Sequence, residues 1–128
     1  MSDVIIKNMT HKLLEADYEK LNLQVELKFT EESNVFKGHF DKMPILAGAI
    51  QLLLCEYWAG ILIKNKLYTK EVSKVRFAGI IKPDEAFLIK VKIMPESTAD
   101  MLYSVSCKIF KNNKRIMTAT LKCQKALE

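Results

Sequence analysis

The sequence predicts an α+β fold, with an antiparallel sheet wrapped round one long central helix, and three observations point that way. Residues 44–63, PILAGAIQLLLCEYWAGILI, have Gln51 and Glu56 as their only strongly polar members. Later segments alternate apolar and polar residues with the period of a strand. Asparagine and proline turn signals separate those segments. A helix that is apolar nearly all round needs cover on most sides, and a run of strands long enough to curl can supply it.

Taken in order, residues 22–29 put Leu23, Val25, Leu27 and Phe29 on one face and Gln24, Glu26 and Lys28 on the other, the mark of a half-buried strand. Residues 30–34 form a polar loop. Residues 47–64 have helix-forming composition and helical length, and the lysines and asparagine at 64–66 end that helix. Strands are expected over 71–77, 86–94, 101–111 and 114–125. In two of them Phe87, Ile89, Val91 and Ile93, then Tyr103, Val105, Cys107 and Ile109, mark the buried face. Pro83-Asp84-Glu85 turns the chain before the longest pair, and Lys111-Asn112-Asn113-Lys114 forms a hairpin turn because asparagine tolerates positive φ. Sheet edges left open by this arrangement favour pairing with a second copy.

A chain of 128 residues suits one domain, 1–128, with one core. Its 20 Lys and Arg against 15 Asp and Glu give a net charge of +5, without a basic stripe interleaved with aromatics. Arg76 and Arg115 are isolated, so nucleic acid is not an expected partner. Cys55, Cys107 and Cys123 are odd in number and embedded in apolar segments, as reduced core thiols are, and no metal or cofactor is implied. MSDVIIKNMTHK lacks a basic region followed by a long apolar run, so no signal peptide is expected and the cytoplasm is the expected compartment. The apolar run at 44–63 has the length of a membrane span. Glu56 argues against that reading, because it would lie near the bilayer centre at a cost of about 3 kcal/mol.

One constellation carries more than fold. Phe36-x-Gly38-His39-Phe40-x-x-x-Pro44-Ile45-x-x-Gly48-x-x-Gln51, followed by Lys74-Val75-x-Phe77 and Pro83-Asp84, resembles the hotdog-fold 3-hydroxyacyl-acyl-carrier-protein dehydratases. Within them it is most similar to the dehydratase-like proteins of aryl polyene biosynthesis, and the resemblance covers roughly residues 22–123. It implies a dimer joined sheet edge to sheet edge, an acyl tunnel at the interface, and acyl carrier protein as the partner that brings the substrate. It also implies that His39 acts on the β-hydroxyacyl thioester and that Gly48 offers its N–H to the thioester carbonyl. Physical chemistry agrees with both roles. Loss of an α-proton builds negative charge on the carbonyl oxygen, which a helix N-terminus stabilises, and a neutral imidazole accepts a proton near neutral pH. Phe40, Pro44 and Gln51 are the candidate substrate-binding residues. Gln51 suits either a substrate hydroxyl or polar groups at the helix start.

The sequence also departs from that pattern. The family's acid falls fourteen positions after the histidine, where this chain has Leu53, and the motif's other two prolines are replaced by Asp41 and Ala47. Glu56, three positions on, is the candidate substitute acid, with Asp41 a weaker one. His11 carries no catalytic pattern and is expected at the surface. Dehydration of a 3-hydroxyacyl carrier is therefore the leading reading. A catalytically silent subunit of a heterodimer and a hotdog thioesterase are the alternatives. Lys37, Lys42, Lys74, Arg76 and Lys82 are candidates for steering an acidic carrier.

Overall fold

The structure is a computed structural model that describes residues 9–36, 44–97 and 101–126. Six strands form one antiparallel sheet: β1 (Met9–Asp17), β2 (Asn22–Phe29), β3 (Leu67–Phe77), β4 (Phe87–Ser97), β5 (Leu102–Lys111) and β6 (Lys114–Lys125). The strand order is β1-β2-β4-β5-β6-β3, so β1 and β3 are the two edges. A 3₁₀ turn, Asn34–Phe36, follows β2, and the helix α1 (Gly48–Ile63) crosses the sheet's inner face.

The alternating strands fold as their pattern predicts. Leu23, Val25, Leu27 and Phe29 of β2 are buried, as are Phe87, Ile89, Val91 and Ile93 of β4 and Val105, Cys107 and Ile109 of β5. They meet Leu54, Cys55, Trp58, Ala59 and Leu62 of α1 in one apolar cluster. Each buried leucine, isoleucine, valine or phenylalanine among them contributes about 1.5–3 kcal/mol through loss of water contact, and that gain holds the helix against the sheet. Both expected turns form, with Asp84 at φ 63° and Asn112 and Asn113 at φ 52° and 63°.

The helix ends in a Schellman motif. Lys64 takes the left-handed conformation at φ 58°, its N–H donates to the Ile61 carbonyl, and the Asn65 N–H donates to the Gly60 carbonyl. Gly60 is required there, since a Cβ at that position would lie 2.8 Å from the Asn65 carbonyl oxygen.

Two sheet elements differ from the sequence expectation. β1 has no counterpart in it, and β3 begins at Leu67 rather than at residue 71. β1 lies along a rim, mostly exposed, with a register shift between Leu13 and Glu15. A strand that buries neither face evenly leaves no period-2 signal. His11 is exposed as expected, yet its ring packs against Trp58 of α1 with centroids 5.3 Å apart. Among the described residues no helix is long and apolar enough to cross a membrane.

Candidate active site at the start of the helix

The site is built where the segment after Pro44 enters α1. Pro44 is half-buried, and the Leu46 N–H donates to the Ile81 carbonyl at 2.8 Å, tying this segment to the turn before β4. Ala47 follows in an extended conformation and provides no side-chain cap. The first N–H groups of a helix lack internal acceptors, so the opening turn at Gly48 carries donors that no capping side chain occupies.

Gly48 is half-buried beneath the ring of Phe77 from the end of β3. A Cβ at position 48 would lie 2.6 Å from Phe77 Cζ, closer than such contacts occur. The glycine therefore lets an aromatic ring lie directly over the helix start. That ring reaches α1 because the register between Ser73 and Arg76 shifts, which turns Phe77 inward opposite the buried Met117. Phe77 belongs to the motif read in the sequence, but its contact with Gly48 depends on a bulge that the sequence pattern does not reveal.

Gln51, one turn on, is 3% exposed. Its Nε2 donates to the Leu46 carbonyl at 3.1 Å, which fixes the amide's orientation. Its Oε1 is buried and has no partner among the described residues. The side chain thus does cap a polar group at the helix start while keeping an acceptor in reserve.

Leu53 is half-buried and has no polar atom to offer. Glu56 lies three residues further on, about 60° round the helix and about 4.5 Å along its axis. Its Oε2 accepts from the Thr69 N–H at 2.9 Å and from the Thr69 hydroxyl at 2.6 Å. The carboxylate is thereby fastened to β3, a partnership that no sequence spacing signals. His39, Phe40 and Asp41 lie outside the described residues, as do Lys37 and Lys42. Gly48, Gln51 and Pro44 are gathered at one helix end, and Glu56 lies about 12 Å from Gly48 along the axis.

A family model for the ApeI dehydratase, described as ApeI-like, matches residues 15–119. Among curated proteins no relative matches the sequence. Of the solved structures, the dehydratase heterocomplex ApeI:P from Xenorhabdus doucetiae is similar over 90% of this chain and 98% of its own, at 16% identity and TM-score 0.67. A hypothetical thioesterase with coenzyme A from Streptococcus pneumoniae TIGR4 is similar over 91% and 86%, at 12% identity and TM-score 0.70. A sigma28-regulated virulence protein from Campylobacter jejuni is similar over 100% and 89%, at 14% identity and TM-score 0.73. At such identities the likeness carries the fold, and the fold is the hotdog.

Proposed function

The chain belongs to the ApeI-like dehydratase family, and from that membership we propose that it converts 3-hydroxyacyl thioesters on acyl carrier protein to the 2-enoyl form, in fatty acid or aryl polyene biosynthesis. The observation that carries this reading is the uncapped start of α1 at Gly48, roofed by Phe77. The substrate's thioester oxygen accepts from the Gly48 N–H, where the helix dipole favours the developing negative charge. His39 takes the α-proton, the Cα–Cβ double bond forms as the C–O bond breaks, and the departing hydroxide leaves as water. Glu56, or a water, supplies that last proton. Pro44 borders the acyl path, Phe40 is a substrate-binding residue of the same motif, and the Gln51 Oε1 receives the substrate hydroxyl.

The working unit is a dimer in the cytoplasm, joined through β3. That edge strand is open along one side and exposes Val72, Val75 and Phe77 at 40–46%, a combination that favours strand pairing with another chain. Lys74 and Lys82, both exposed, would face an acidic carrier approaching from that side.

Incubating the purified protein with a 3-hydroxyacyl carrier and following the enoyl product tests the proposal. Wild type forms the product and His39→Ala does not; undiminished turnover in His39→Ala would remove the histidine from the mechanism. A second reading, a silent subunit that completes a heterodimer, is favoured by Leu53 standing where the family has its acid and by the binding of Glu56 to Thr69. It predicts no enoyl product from the homodimer and restored turnover on adding an acid-bearing partner. Release of free thiol in the same assay identifies a thioesterase instead.

A further inference from the structure

The chain has two arginines, and the fold brings them together on the face of the sheet turned away from α1. Arg76 of β3 and Arg115 of β6 line one pocket of about 200 Å³ with Ala78, Met117 and Thr118. Each arginine reaches that face because of a bulge. Between Ser73 and Arg76, β3 carries one more residue than its partner strand, with Lys74 near by at φ 53°; without it Arg76 would point inward and Phe77 outward. In β6, Arg115 pairs with Phe110 and Met117 with Ile109, so Ile116 is the extra residue and Arg115 is turned to the outer face. Strict alternation would have put Arg115 on the buried face with Met117.

The surroundings favour an anion. Both arginines are exposed, and neither guanidinium has a hydrogen bond or ion pair among the described residues. No carboxylate lines the pocket. Across the neighbouring strands the same face continues as Thr118, Lys108 and Lys90 in direct register with Arg76. Lys90 and Lys108 stand directly opposite each other and line a neighbouring pocket whose far side carries Glu15, so the positive charge is greatest on the side toward the arginines. The Lys90 Nζ lies 4.8 Å from the centroid of the Phe110 ring, whose residue is the register partner of Arg115. Two arginines and a threonine around one pocket supply the kind of paired N–H and hydroxyl donors that a phosphoryl group's oxygens accept.

We propose that this outer-face pocket binds a phosphoryl group, with Arg76 and Arg115 as its two clamps, Thr118 as a hydroxyl donor and Lys108 as supporting charge. The pocket lies on the opposite side of the sheet from the helix and is independent of the dehydratase reading.

Titrating the full chain at low ionic strength with inorganic pyrophosphate, and separately with adenosine 3′,5′-bisphosphate, tests it by calorimetry and by the arginine Nε–H resonances. Saturable binding is expected, with both arginine resonances shifting. Arg76→Gln and Arg115→Gln should each weaken it about tenfold or more, as loss of a charged hydrogen-bonding fork does. Lys92→Gln, one pair of residues along β4 from Lys90, should leave it unchanged. Equal affinity for the two probes assigns the site to the phosphoryl group alone, and tighter binding of the bisphosphate assigns it to phosphate carried on a nucleotide. Absence of saturable binding, undiminished binding in the double variant, or equal loss in Lys92→Gln would overturn the proposal. The exposure of both arginines makes misfolding of these variants easy to exclude by their thermal transitions.

Discussion

Gly48 has no side chain because Phe77 occupies the space where one would begin. Adding a methyl group forces the ring to swing or the helix start to move, and overpacking of this kind costs about 1–3 kcal/mol. Phe77 is 46% exposed and free to yield on one side, so Gly48→Ala should fall near 1 kcal/mol in urea unfolding. If the helix start binds the thioester as proposed, its larger effect should be on turnover, since that contact would be displaced. Combining it with Phe77→Ala should recover most of the lost stability, a non-additivity that separates steric conflict from loss of glycine as such. Glu56 poses a different question at the same scale. Glu56→Gln keeps an oxygen for both Thr69 donors, so stability should hardly change, whereas Thr69→Val should cost about 1 kcal/mol through the lost hydroxyl bond. If Glu56 donates the proton, Glu56→Gln abolishes enoyl formation without unfolding the protein; retained turnover assigns that step to water. The glycine and its motif could be read in the sequence. The Thr69 partner could not, because a helix-to-strand bond between residues of ordinary type leaves no spacing to recognise.

Among the elements, legibility followed position in the sheet. β2, β4, β5 and β6 have neighbours on both sides and bury one face, so outside the Ile116–Met117 bulge of β6 their apolar residues recur at every second position. β1 and β3 are edges interrupted by register shifts, and there the pattern fades: β1 leaves no alternating signal and β3 begins four residues before its pattern does. The helix was legible from composition alone, with its start within one residue of expectation. The bulges of β3 and β6 could not be foreseen, and they decide the facing of Phe77, Arg76 and Arg115. The exposed apolar residues of β3 lead to a prediction of their own. Val72→Lys with Val75→Lys places charge along the open edge, the device by which natural edge strands avoid pairing. Sedimentation velocity should show a dimer for the wild type and a monomer for the double variant. A variant that stays dimeric would move the seam away from β3.

For the molecule as a whole, the layer between sheet and helix excludes water well enough to govern its three thiols. Cys55 of α1, Cys107 of β5 and Cys123 of β6 are all buried and free. Cys107 titrates well above the ordinary thiol range, first because of its hydrogen bond with Cys55 and then because of burial. Burial likewise pushes Cys123 up to about 11 from 9.0, opposed in part by the Thr69 hydroxyl. A thiol whose pKa is raised on folding stabilises the fold fully below its unfolded value, and that contribution is lost as pH rises through the folded value. For Cys123 the window runs from 9.0 to about 11. The urea midpoint should therefore fall across that interval, and Cys123→Ala should lower stability at neutral pH through its cavity yet show a shallower alkaline decline. An equally steep decline in the variant would assign the loss to Cys107, whose thiol is raised further still. The same burial makes the thiols a gauge of global opening. At pH 8 an aromatic disulfide reagent should modify none of them in the native protein and all three once urea has unfolded it, because the thiolate is the reactive form. Prompt modification of one thiol in the native state would mean that the seam between α1 and the sheet opens locally, ahead of the rest of the core.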